Sequence, residues 1–252
     1  MRHYFFKDKT KIELNICIDI GNTNAKIGIF DKETLKEVIS DVADKNIEKL
    51  IREKCPEQVI IASVRNGIGK IVNKINTVAS AIVLSHTTPI PIKSIYKTPL
   101  TLGVDRISSV VGAHHLYPHK NILVVDIGTC ITYDLIDEKG TYHGGGISPG
   151  VDMRLKALHK FTSKLPVISA KRKAELIGKT TKECMMSGAV NGTSAEIEGI
   201  ILRYKQFFDD LAIIFCGGDA NFFETKIKDH IFAVPNLVLV GLNQILRFNL
   251  ND

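Results

Sequence analysis

Residues 121–137, NILVVDIGTCITYDLID, repeat in altered form residues 15–31, NICIDIGNTNAKIGIFD. Each stretch begins with Asn and an apolar run, reaches Asp-Ile-Gly, passes a Thr, turns apolar again and ends on Asp. β-Branched residues on either side of a short Gly-containing gap are the pattern of a β-hairpin. The spacing predicts strands over about 15–20 and 25–30 around Gly21-Asn22, and a second hairpin around Gly128-Thr129. A third strand is expected after each, over Lys36–Val42 and near Tyr142.

Beyond the first hairpin, Ile47, Leu50 and Ile51 recur at helical spacing within 45–54. VIIAS (59–63) and AIVLS (81–85) are short apolar runs flanking a helix, the pattern of buried parallel strands. The second hairpin leads to helices near 152–161 and 181–208, a strand in LAIIFCGG (211–218) and a helix near 237–248. Met185, Met186, Val190, Ile197, Ile200, Ile201 and Tyr204 form that long helix's apolar stripe, read as core or dimer contact. Gly188 and Gly192, four apart, suggest close approach of another backbone or a ligand there. The fold class is α/β, a duplicated unit of mixed sheets flanked by helices. Residues 1–114 form the first half, with 1–14 an extension, and 115–252 the second. A ligand cleft is expected between the halves.

Composition excludes several classes. In 252 residues, 44% are hydrophobic and 24% charged, ordinary for a globular protein able to bury a real core. No window approaches a membrane-spanning run, and charges break the N-terminal aromatic patch, so no membrane role and a cytoplasmic location are expected. Five dispersed cysteines without a paired motif suit a reducing compartment and argue against a disulfide or metal role. The net charge of +6 is spread out, with one tight cluster at Lys171–Lys173. It fits attraction of a small polyanion or solvated helix faces, and the chain lacks the aromatic-studded basic strands of a nucleic-acid binder. His114, His115 and His119 read as surface histidines rather than a metal site.

The repeated device has a physical use. Its Asp ends a buried strand, its Gly permits a tight turn, and the turn's N–H groups with the Thr hydroxyl can donate to phosphate oxygens. A carboxylate beside such a nest implies a bridging cation. A third element, Cys216-Gly217-Gly218-Asp219, runs a buried strand into two glycines that let a flat ligand or phosphate approach the backbone. In TLGVDRISSVVGAHH (101–115), Asp105 and Arg106 fall at a helix N-terminus. There Asp105 either caps the helix or accepts a proton from an attacking hydroxyl, while Arg106 can grip a carboxylate or phosphate. GGGISPG (144–150) is read as a rigid, side-chain-poor loop that lets backbone touch a ligand.

In this order, two phosphate hairpins followed by a Gly-Gly motif resemble the superfold of acetate kinase, sugar kinases and actin-like ATPases. That resemblance implies two duplicated ribonuclease-H-like domains around ATP. Asp-Ile-Gly-Asn-Thr (19–23), Gly103-Val104-Asp105-Arg106, Asp-Ile-Gly-Thr (126–129) and Gly-Gly-Gly-Ile-Ser-Pro-Gly (144–150) narrow it to type III pantothenate kinase, a similarity running from about Asn15 to Leu246. The resemblance implies ATP-dependent phosphorylation of pantothenate, the first step towards coenzyme A. It assigns Asp19, Ile20, Gly21, Asn22, Thr23, Asn24, Ala25, Lys26 and Thr129 to ATP, with Asp19 serving Mg²⁺ through water. Asp105 becomes the catalytic base, and Tyr96, Gly103, Val104, Asp105, Arg106 and Thr181 line the pantothenate site. Asp126 would hold a monovalent cation, K⁺ or NH₄⁺, and a homodimer is expected.

Two departures from the family pattern stand out: the extension before the first strand, and Cys130 where a small residue such as Ala is expected. Another sugar or small-acid kinase would share the hairpins and differ around 103–106 and 144–150. A non-catalytic regulatory homologue would lack Asp19, Asp105 or Asp126, and all three are present.

Overall fold

The computed structural model describes residues 14–21, 25–65, 67–170, 173–227 and 229–250. Strands β1 (Leu14–Ile20), β2 (Ala25–Asp31) and β3 (Thr34–Val42) form an antiparallel meander. Helix α1 (Asp44–Lys54), β4 (Gln58–Ser63), α2 (Gly69–Ile75) and β5 (Ser80–Val83) follow, and β4 and β5 pair in parallel. The sheet order is β3-β2-β1-β4-β5, so β1 lies between an antiparallel and a parallel neighbour. Ile16, Ile18, Ile20 and Ile27 pack with Ile47 and Ile51 of α1 in one apolar cluster.

A two-residue strand β6 (Lys93–Ser94), a 3-10 turn over Pro99–Thr101 and helix α3 (Val104–Leu116) come next. The second meander is β7 (Asn121–Ile127), β8 (Cys130–Ile136) and β9 (Thr141–Pro149), followed by α4 (Val151–Lys160) and α5 (Thr181–Lys205). Strand β10 (Leu211–Cys216), helix α6 (Ala220–Glu224), strand β11 (Ile231–Ala233) and helix α7 (Leu237–Leu250) complete the described chain. The second sheet, β11-β10-β7-β8-β9-β6, repeats the order of the first and adds β6 beside β9. The duplication read from two short stretches is therefore a duplication of topology. Both mixed sheets carry helices, as the α/β reading required.

The glycine-rich stretch at 144–150 departs from expectation. It is not a loop: through Pro149 it is strand β9, paired along β8. A Cβ on Gly145 would overlap the Tyr133 carbonyl, so that glycine accommodates the chain's own backbone. A Cβ on Gly188 or Gly192 meets nothing of the described chain within 4 Å, so contacts within this chain do not require a glycine at either place. Of the α5 stripe, Met185, Met186, Val190, Ile197 and Ile201 are core. A capping box starts that helix, with Thr180 accepting from the Glu183 N–H and Glu183 accepting from the Thr180 N–H at 3.1 Å. The Lys171-Arg172 part of the basic cluster lies outside the described residues. No helix among the described residues is long and apolar enough to cross a membrane.

The chain forms two compact units, one of residues 1–90, 103–108 and 238–252, the other of 91–102 and 109–237. The last helix thus belongs to the unit that the first strand begins. Its Leu239 packs where Gly28 leaves no room for a side chain, the Gly28 Cβ position being 3.1 Å from Leu239 Cδ1. Asn243, fully buried, donates from Nδ2 to the Lys32 carbonyl at 2.7 Å and accepts from Asn15 Nδ2 at 3.5 Å. Arg247 pairs with Glu33 on the same side.

A buried amide that satisfies a backbone carbonyl leaves that carbonyl stranded when removed. Asn243→Ala is expected to lower the urea midpoint by the equivalent of about 1–3 kcal/mol without changing the m-value. An unchanged midpoint would sink this account of how α7 is fastened.

Candidate functional site

Asp19 and Asp126 are each the second-last residue of the central strand of their sheet. Carboxyl ends of such strands open onto loops, and α/β sheets bind ligands there. Both side chains are half-buried. Asp19 stands directly across from Lys26, a carboxylate facing a cation on one face of the hairpin. Asp126 stands across from Thr132, whose buried Oγ1 has no hydrogen-bond partner among the described residues. The turns differ by one residue: four separate the paired Ile20 and Ala25, three the paired Ile127 and Ile131. Ile20, Gly21 and Ala25 flank the first turn, and Asn22, Thr23 and Asn24 lie outside the described residues.

Three glycine motifs meet at the second turn. The Gly128 N–H donates to the Cys130 carbonyl at 2.9 Å and closes it. The Gly150 N–H donates to the Thr129 carbonyl at 3.1 Å, and a Cβ on Gly150 would sit 2.7 Å from that oxygen and overlap the Gly128 carbonyl. From the other side comes Gly217, with φ +89°. A Cβ there would overlap Asp126 Oδ1 and lie 2.6 Å from the Ile127 carbonyl, which also accepts the Asp219 N–H at 2.9 Å. Stretches near 128, 150 and 217 are thus brought together at close backbone approach. Thr129 remains exposed at the tip.

The donors offered here are oxygens: the Asp126 carboxylate, the orphaned Thr132 hydroxyl and Thr129. Such a set fits a hard cation whose shell is completed by phosphate oxygens and water. Among the described residues no three His, Cys, Asp or Glu side chains group as a metal cage. His115 and His119 are exposed, and burial pushes His114 below the usual imidazole range. All five cysteines are free thiols.

Gly103 precedes α3 and accepts the Ile107 N–H through its carbonyl at 3.2 Å, starting the helix. Asp105 folds back over it, so that a Cβ on Gly103 would overlap Asp105 Oδ1. The same oxygen accepts the Arg106 N–H at 2.9 Å. Val104 and Asp105 are half-buried and Arg106 is buried. Tyr96 is half-buried beside β9, and Thr181 is exposed at the first residue of α5. Asp19, Lys26 and 103–106 belong to the first compact unit; Tyr96, Asp126, Thr129 and Thr181 belong to the second.

One group had no sequence signal. Glu196 of α5 accepts the Tyr133 hydroxyl at 2.9 Å and pairs with Arg154 of α4. Arg154 also donates to the Pro149 carbonyl at 2.8 Å and to Ser148 Oγ at 3.0 Å, clamping the corner just before Gly150. Glu196 and Arg154 are 42 residues apart, so no local pattern announces them. Burial pushes the Glu196 carboxyl up, but hydrogen bonds from Arg154, Ser148 and Tyr133 outweigh it and hold it below the usual carboxylate range. Burial first, then the bond to Glu196, pushes the Tyr133 phenol well up.

A carboxyl depressed on folding adds stability above its unfolded value, about pH 4.3, which is lost as pH falls through its lower folded value. The melting temperature of Glu196→Gln is therefore expected to lie below wild type near neutrality, the gap closing in acid. A gap that stays open in strong acid counts against the ionised pair.

The type III pantothenate kinase family model matches residues 15–203. The chain is 44% identical over 239 residues to the type III pantothenate kinase of Phocaeicola vulgatus, covering 94% of this chain and 99% of that one. It is 41% identical to the type III pantothenate kinase of Cytophaga hutchinsonii, with 94% and 100% covered. Among solved structures it is similar to a conserved Campylobacter jejuni protein described as a Baf family transcriptional activator. That likeness has a TM-score of 0.62 at 22% identity over 94% of this chain and 100% of the other. A second likeness, to apo pSK41 ParM, has a TM-score of 0.50 at 13% identity, with 96% and 99% covered. The two structural likenesses bear on the fold.

Proposed function

The chain belongs to the type III pantothenate kinase family, and from that premise we propose that it transfers the γ-phosphoryl group of ATP to the primary hydroxyl of pantothenate. The product is 4'-phosphopantothenate, the entry to coenzyme A synthesis. Family membership over nearly the whole chain is the observation that carries this reading.

Phosphoryl transfer is largely a matter of positioning and charge neutralisation. Asp105 is the general base, accepting the proton of the attacking hydroxyl. Its support is local: Gly103, lacking a side chain, leaves room for the carboxylate at the start of α3, and the Arg106 N–H orients one oxygen. Tyr96, Gly103, Val104, Arg106 and Thr181 hold pantothenate, Arg106 gripping its carboxylate. Asp19, Ile20, Gly21, Ala25 and Lys26 take the phosphates of ATP together with Asn22, Thr23 and Asn24, and Thr129 contacts them from the second turn. Bound Mg²⁺ and a monovalent cation, K⁺ or NH₄⁺, neutralise phosphate charge; Asp19 would serve the first through water and Asp126, with Thr132 beside it, would hold the second. The acting species is a homodimer in the cytoplasm.

ADP release from ATP, followed with and without pantothenate and against a panel of sugars and small acids, tests the activity. Release stimulated by pantothenate alone is expected; stimulation by a sugar instead would move the chain to another acceptor. Base assistance is worth roughly 10²–10⁴-fold. Asp105→Asn is expected to lose turnover on that scale while keeping its melting temperature and its ATP affinity. A near-normal kcat would remove Asp105 from the base role.

A further inference from the structure

Tyr96 sits on a seat built by the second sheet. Strand β6 runs parallel to β9, with the Lys93 N–H donating to the Gly140 carbonyl at 2.9 Å and the Ile95 N–H to the Tyr142 carbonyl at 3.1 Å. These bonds carry Tyr96 onto Tyr142, the rings stacking with centroids 6.0 Å apart and planes 21° apart. Tyr142 is itself anchored. It is almost fully buried and donates its hydroxyl at 2.6 Å to Asp134, which is fully buried on β8. Ring position and hydroxyl bond together fix the face that Tyr96 meets.

The register explains how Tyr142 and Tyr96 come to face each other. Ile136 pairs with Tyr142 and Leu135 with Gly144, so His143 is an extra residue, a bulge in β9. Bulges re-aim side chains and are common beside active sites. Here His143 is tied to Asp137 at 2.8 Å, and Gly144 takes a φ of +93°. A Cβ on Gly144 would stand 3.0 Å from Tyr96 Cδ2 and 3.3 Å from Cε2. The glycine supplies both the left-handed backbone of the bulge and the space that the Tyr96 ring occupies.

We infer that Tyr142, anchored by Asp134, and Gly144 are positioning residues that set the Tyr96 ring and through it the recognition of the phosphoryl acceptor. The inference rests on the proposed pantothenate site and adds to it residues whose contacts are with the Tyr96 ring and its support. A positioning role of this kind acts on one substrate and not the other.

The test is a double-mutant cycle of Tyr142→Leu with Tyr96→Ala, using steady-state kinetics with pantothenate and with ATP. Tyr142→Leu is expected to raise the KM for pantothenate about tenfold with the KM for ATP within about twofold, and to add nothing in the Tyr96→Ala background. Should Tyr142→Leu fail to fold, Gly144→Ala decides with the same split. KM values that move together, or effects that add in the double variant, overturn the inference and leave the kinase reading standing. A wild-type chain without pantothenate-dependent ADP release overturns both.

Discussion

The closeness of backbone to backbone around the 127–129 turn is the constraint on which the second half of the molecule depends. Gly150 lies against the carbonyls of Gly128 and Thr129, and Gly217 against Asp126 and the Ile127 carbonyl. A side chain at either place would push β9 or β10 away from the end of β7. Three segments spread over about ninety residues are therefore registered at one strand end, and the Asp126 carboxylate is held between a turn and a glycine. This is a polar site assembled from main chain, in which precision comes from the missing Cβ atoms.

The same economy recurs wherever a candidate functional side chain needs room. Gly103 yields space to Asp105, Gly144 to Tyr96, and Gly145 to the Tyr133 carbonyl. Around these sit tethers of ordinary strength: the Arg154–Glu196–Tyr133 group at the corner before α4, the Tyr142–Asp134 pair under Tyr96, and Asn243 beneath the β2–β3 turn. Each tether fixes a segment that the glycines allow to come close. Phosphoryl transfer asks for such fixed placement more than for reactive groups, and a scaffold of this type suits it.

The residues that most shaped the sequence reading were those whose local chemistry implies geometry. Asp-Ile-Gly between two apolar runs states a strand end, a turn and a carboxylate at once, and both hairpins follow. The GGGISPG stretch misled, because four glycines in seven residues read as a loop. Its residues 144–149 pair along β8, and at Gly144, Gly145 and Gly150 neighbouring atoms already fill the space of a side chain. Thr132 was missed by one residue: a turn centred between Gly128 and Thr129 sets Ile131 opposite Asp126, whereas the three-residue turn centred on Thr129 sets Thr132 there. Arg154 with Glu196, and Asn15 with Asn243, were beyond reach, because partners 42 and 228 residues apart leave no periodic trace.

By itself the sequence determined the α/β class, the duplicated meander and the order of the glycine motifs, because strand, turn and helix preferences act over a few neighbouring residues. The tertiary structure alone decided which glycine meets which carbonyl, that the last helix packs in the unit begun by the first strand, and that a one-residue bulge sets Gly144 beneath Tyr96. Those outcomes depend on excluded volume between distant segments, a quantity that no single stretch of chain carries.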